Sequence, residues 1–128
     1  MTHGKWKRLS SRYDDALAKL PDALKAEGFG VVSQIDLAET LRTKIGKDVG
    51  RYRVLGACNP SFAFDAIGKD PQAGVLLPCN VVLYELLGEG EVMLGVIDPM
   101  QAVGTVPALE PLAREVGARL DRVLAAMT

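Results

Sequence analysis

The chain has two cysteines, and they sit in matching settings, Gly56-Ala57-Cys58-Asn59-Pro60 and Leu77-Pro78-Cys79-Asn80. Each precedes an asparagine where an apolar, strand-like run meets a turn signal. Three readings of such a pair stay open. A low-pKa thiol with a second thiol in reach is the minimum for reversible disulfide chemistry. Two thiolates with Asp98 would supply three soft or borderline metal ligands. Cysteine is also among the most buried residue types, so the pair can simply pack. No Cys-x-x-Cys is present and the single His3 lies in a short N-terminal arm, so no metal and no cofactor is expected.

Two strands and a helix must position these groups. Tyr52 to Cys58 reads as a strand, and Asn59-Pro60 as the cap and first position of a helix running to about Ile67. Cys58 then stands just ahead of a helix N-terminus, where unpaired N–H groups and the helix dipole favour a thiolate. Cys79 to Leu86 and Glu91 to Asp98 read as a hairpin around Leu87-Gly88-Glu89-Gly90. A symmetric turn at Gly88-Glu89 sets the register: Leu83 faces Leu94, Val81 faces Val96, and Cys79 comes opposite Asp98. Asn80, Val82 and Tyr84 fall on the other side, against Ile97, Gly95 and Met93. An antiparallel Tyr52–Cys58 strand beside Cys79–Leu86 brings Cys58 toward Cys79. The candidate site is therefore Cys58, Asn59, Cys79, Asn80 and Asp98 at one sheet end. Asn59 as a cap and Asp98-Pro99 as a strand-ending turn are the plainer alternatives. Asn80 suits a strand interior poorly.

The remaining elements follow from pattern. Gly4 to Leu9 is a weakly patterned candidate edge strand. Ser10 or Ser11 caps a helix carrying Leu17, Leu20 and Leu24, which Pro21 is expected to kink or split and Gly28 to close. Phe29 to Ile35 is a strand. Asp36 to Glu39 has the form of a capping box for a helix from Leu37 to Ile45, ended by Gly46. Gln72 to Leu77 is a link without a clear pattern, and Leu109 to Met127 is the last helix. Consecutive strands flanked by helices indicate an α+β fold. Both faces of the hairpin are apolar. Helices can cover one, and a second subunit would suffice for the other, so a homodimer is expected.

Composition bounds the function classes. A chain of 128 residues is one domain, residues 1–128, able to fold without a disulfide or metal. Its 15 Lys and Arg nearly balance 16 Asp and Glu, so bulk charge draws it neither to nucleic acid nor to a membrane surface. Met1 to Arg8 lacks an apolar signal-peptide core, and no apolar run approaches the ~20 residues of a membrane span. A cytoplasmic location is expected. There is no Gly-x-Ser-x-Gly, no phosphate-cradling Gly-rich loop and no His for a triad beyond His3, so whether the chain is an enzyme is left open.

Several segments together resemble domain-of-unknown-function family 302: Glu27-Gly28-Phe29-Gly30-Val31, Ile35-Asp36 with Leu41 to Ile45, Tyr52 to Pro60, Gly74 to Val82, and Asp98-Pro99. The resemblance implies a TATA-binding-protein-like α+β fold of the β-α-β4-α type, a curved antiparallel sheet packed on helices, and dimers. Gly4 to Leu9 is less apolar than the family's opening strand, which argues against a regular first strand. Ser61-Phe62-Ala63-Phe64-Asp65 lacks the His or second Pro that relatives often carry there. The family carries no agreed activity. The expected function is binding of a small ligand or partner at the Cys58/Cys79/Asp98 sheet end. The alternative is thiol redox or sulfur handling, with Cys58 attacking and Cys79 resolving.

Overall fold

The hairpin that begins at Cys79 is the centre of the sheet. In the computed structural model, which describes residues 3–128, β4 (Cys79–Leu86) and β5 (Val92–Ile97) pair with Val81 opposite Val96 and Leu83 opposite Leu94, as turn symmetry requires. With β1 (Gly4–Leu9), β2 (Gly30–Asp36) and β3 (Gly50–Cys58) they form a five-stranded antiparallel sheet in the order β1-β5-β4-β3-β2. Four α-helices accompany it among the described residues: α1 (Tyr13–Ala26), α2 (Leu37–Ile45), α3 (Pro60–Lys69) and α4 (Glu110–Ala126). The architecture is α+β, an antiparallel sheet on helices, not closed into a barrel.

One sheet face carries the core. Leu55, Ala57, Val81, Leu83, Leu94 and Val96 point at Leu20 and Leu24 of α1 and at Val116, Leu120 and Val123 of α4. A smaller cluster, Ala66, Ala73, Val103, Leu109 and Ala113, joins α3 to the start of α4. At ~25 cal/mol per Å² of apolar surface, each fully buried Leu contributes about 2 kcal/mol. The Gly74 region, unpatterned in sequence, is a 3-10 turn at Pro71–Leu76 that carries Ala73 into this cluster.

Three local expectations are corrected. β1 is a regular strand, paired with β5 from Gly4–Ile97 to Leu9–Val92. Its lysines are accommodated because alternation aims them at α4: Lys5 Nζ donates to Asp121 at 2.7 Å, and Lys7 Nζ donates to the Leu124 and Met127 carbonyls at 3.0 and 2.6 Å. Those carbonyls lie at the C-terminal end of α4, where the helix dipole favours a cation. Neither Ser10 nor Ser11 caps α1; the cap position is Arg12, while Ser10 donates to the Thr128 carbonyl through N and Oγ. Pro21 does not split α1, which runs unbroken. Pro21 is exposed, and its neighbour Leu20 and the next-turn Leu24 are fully buried, so packing holds both halves in line.

Other boundaries follow local chemistry. Gly28 (φ 86°) closes α1 in a Schellman arrangement, with Gly28 N donating to the Lys25 carbonyl and Phe29 N to the Leu24 carbonyl, both at 3.0 Å. Asp36 Oδ1 accepts Glu39 N at 3.0 Å, capping α2.

Among the described residues no helix packs on the opposite sheet face. The cross-strand registers align Trp6, Gly95, Val82, Val54 and Ile35 in one row. In the next row Tyr84 stacks on Tyr52, with ring centroids 5.3 Å apart, and meets the edge of Trp6 at 5.8 Å.

Candidate functional site

The end of β3 and the start of β4 open onto a cavity of about 300 Å³. Strand alternation supplies one wall, Ala57 and Cys79. The first turns of α3 supply another, Phe62, Ala63 and Ala66. The far side is Leu112 and Val116 of α4, with Val103, and the segment Gly74 to Pro78 closes the rim. Pro78 follows a cis peptide bond. Nearly every lining side chain is apolar; the exceptions are Cys58, Asn59 and Cys79. The mouth is apolar too. Val32, lifted out of the β2–β3 register by a bulge, and Ile67 border it and are 64% and 49% exposed.

Asn59 is held by local structure. Its Oδ1 accepts Phe62 N at 3.4 Å as the cap of α3, with Pro60 at the first helical position. Its Nδ2 lies beside Gly28, where a Cβ would stand 2.7 Å away. Arg119 crosses this corner, donating to the Glu27 carbonyl at 3.1 Å and lying over the Phe62 ring. The corner joins α1, α3 and α4 behind the pocket.

The five sequence-predicted positions all lie at the same sheet end, but they do not form one cluster. Cys58, Asn59 and Cys79 border the pocket. Asn80, one residue on, faces the helix-free side beside Trp6 and Val82. Asp98 accepts Met100 N at 3.0 Å and caps a 3-10 turn at Pro99–Gln101, so its carboxylate is committed to that turn. The expected approach of the thiols is also corrected. The register pairs Cys79 with Ala57, not Cys58. The two thiols are offset by one residue across the paired strands, and both are free. No Cys58–Cys79–Asp98 metal set assembles, since no three such ligands gather among the described residues.

Burial, and secondarily the neighbouring Cys58, push the Cys79 thiol from 9.0 up to about 11. A thiol so disfavoured as thiolate is a poor nucleophile and a poor metal ligand near neutral pH. The residues that sequence reasoning missed are the pocket walls: Phe62, Ala63 and Ala66. Their signal was the i, i+1, i+4 spacing on α3 directly after the Asn59 cap, which puts them on one helix face.

The whole chain aligns over the full length of the crystal structure of an uncharacterized conserved DUF302 protein from Bacillus stearothermophilus, at 27% identity and a TM-score of 0.90. No curated protein matches the chain. No helix among the described residues is long and apolar enough to cross a membrane. Residues 6–127 match the model of the domain of unknown function DUF302, and the chain belongs to that family.

Proposed function

We propose that this chain is a cytoplasmic, homodimeric single domain that binds a small, uncharged, apolar molecule in the pocket between α3, α4 and the ends of β3 and β4. The observation that carries this reading is the apolar cavity of about 300 Å³ with an apolar mouth. Ligand pockets begin at about that size and combine apolar walls with a few polar groups. Here the polar groups are the Asn59 amide and two thiols, with no Lys, Arg, Asp or Glu in the lining, so a charged ligand would find no ionic partner there. Two free thiols fit a reducing compartment.

The test is titration with an uncharged fluorescent apolar probe, Nile red, against the wild type and Ala63→Phe. Ala63 is half-buried on the pocket wall, so a phenyl ring there fills the cavity without entering the main core. The expected result is saturable binding by the wild type, weakened tenfold or more in Ala63→Phe, about 1.4 kcal/mol or more. Absence of saturable binding, or equal binding by a folded Ala63→Phe, overturns the reading.

Thiol redox chemistry is the second reading. In its favour, Cys58 and Cys79 border the same pocket. Against it stand the register, which sets Ala57 opposite Cys79, and the raised pKa of Cys79, which slows a resolving thiol. A Cys58→Ser variant that keeps full reactivity toward peroxide would end it.

A further inference from the structure

We propose that the helix-free face of the sheet is the surface on which a second copy of this chain docks, sheet face to sheet face about a two-fold axis near β4. The inference rests on the homodimeric state proposed above and is independent of the pocket.

The row Trp6, Gly95, Val82, Val54 and Ile35 crosses all five strands without a polar side chain. Among the described residues no helix lies over it: Trp6 is 45% and Ile35 50% exposed. Monomeric proteins rarely leave so continuous an apolar surface in water. Trp6 lies flat on Gly95, filling the space a Cβ would take, and a hollow beside it is floored by Val82 and Ile97. A ridge of aromatic rings next to a hollow is the relief that a second identical surface can interlock with.

Charge and area both select a like partner. Along the β1–β5 margin of this face Arg8 pairs with Glu91 at 3.3 Å, and along the β2 margin α2 sets one acid and one base, Glu39 and Lys44, beside Ile35. The face is therefore neutral, so two copies do not repel, and no surplus of cations is aimed at a phosphate backbone. Five strands about 4.8 Å apart and about three rows some 6.8 Å apart give a planar footprint of roughly 500 Å². Side chains standing off the sheet raise the accessible area toward the ~800 Å² per partner of a stable interface. An isologous contact of this kind closes on itself at two subunits.

Trp6 is the sole tryptophan, so intrinsic fluorescence reports on this face. The experiment is sedimentation of the full chain from about 1 to 100 µM with emission read in parallel. Wild type is compared with Val82→Glu, Ile35→Glu on the edge strand, and Phe64→Glu, an exposed α3 residue away from the sheet face. The expected result is a dimer that dissociates on dilution with a red shift of Trp6 emission. Folded Val82→Glu or Ile35→Glu should weaken it at least tenfold, and Phe64→Glu should leave it intact. Ile35→Glu and the wild-type dilution series decide the matter if Val82→Glu does not fold. A monomer throughout overturns both the dimer and this interface. A dimer that survives Ile35→Glu, or keeps Trp6 emission unchanged on dissociation, overturns the interface alone.

Discussion

Alkaline pH should destabilise this protein through one thiol, and the size of the effect follows from where Cys79 sits. The side chain is opposite Ala57 against the core, and burial holds its pKa at about 11 against an ordinary 9.0. Below the unfolded value both states keep the proton, so the stability contribution is fully present. Between the two values the unfolded chain releases a proton that the folded chain retains, so stability falls as pH rises. At 1.36 kcal/mol for each pH unit crossed, the loss reaches on the order of 2–3 kcal/mol by about pH 11. Lysines and tyrosines titrate in the same window, including Tyr13, itself raised by burial. The informative quantity is therefore the difference between wild type and Cys79→Ala in urea melts at each pH. Near pH 8 the variant should be weaker by about 1 kcal/mol from lost packing. The two stability curves should cross near pH 10, above which the variant is the more stable protein. Alkylation gives an independent reading: near pH 8 the Cys79 thiolate fraction should be about 100-fold lower in the folded than in the unfolded chain, and labelling correspondingly slower. Parallel stability curves across the window, or Cys79 labelled as fast as in the unfolded chain, would refute the argument.

Three glycines offer further checks. Gly28→Ala combines a left-handed φ of 86° with a Cβ 2.7 Å from the Asn59 amide, so it should cost about 1–3 kcal/mol by adding loss of the α3 cap to backbone strain. Gly46→Ala, also left-handed (φ 68°) but with nothing within 4 Å, should cost only about 1 kcal/mol; equal thermal shifts for the two would mean that the Gly28–Asn59 contact contributes nothing. Gly95→Ala should displace the Trp6 ring, lower stability by about 1–3 kcal/mol and shift Trp6 emission; unchanged emission would show that the ring does not lie on Gly95.

Much of the fold was legible because local signals and tertiary packing agree. Gly88 and Gly90, both with positive φ, fix where the hairpin turns, and the turn fixes every pairing up to Val81–Val96. Asp36, Gly28 and Asn59-Pro60 mark helix ends by chemistry that acts within a few residues. Misreadings fell where a distant partner decides. β1 looks too polar for a strand until α4's last carbonyls, more than a hundred residues away in sequence, receive Lys7. Pro21 looks like a break until the core holds Leu20 and Leu24 together. The 3-10 turn at Pro71–Leu76 has little periodicity, because what orders it is Ala73 entering a cluster built by α3 and α4.

The candidate site was partly legible for a sharper reason. Sequence placed Cys58, Cys79 and Asp98 at the same end of the sheet, and they are there. Proximity along a sheet edge does not decide which side a group faces, however, and alternation separates Cys79 from Asn80 across the strand. One residue of register then separates Cys58 from Cys79, since Ala57 takes the paired position. The pocket itself could not be read from strand motifs, because its other walls come from α3 and the 3-10 segment that follows it, closed by α4 from far along the chain. The same alternation gives the sheet two apolar surfaces with different fates. Its inward row closes on helices and leaves an apolar hollow at the strand ends. Its outward row, centred on Val82 beside Asn80, has no helix over it among the described residues. Cys79 and Asn80 therefore mark the boundary between the cavity and the helix-free sheet face, which is why a polar-thiol motif in otherwise apolar strands reads as one site in sequence and as two places in space.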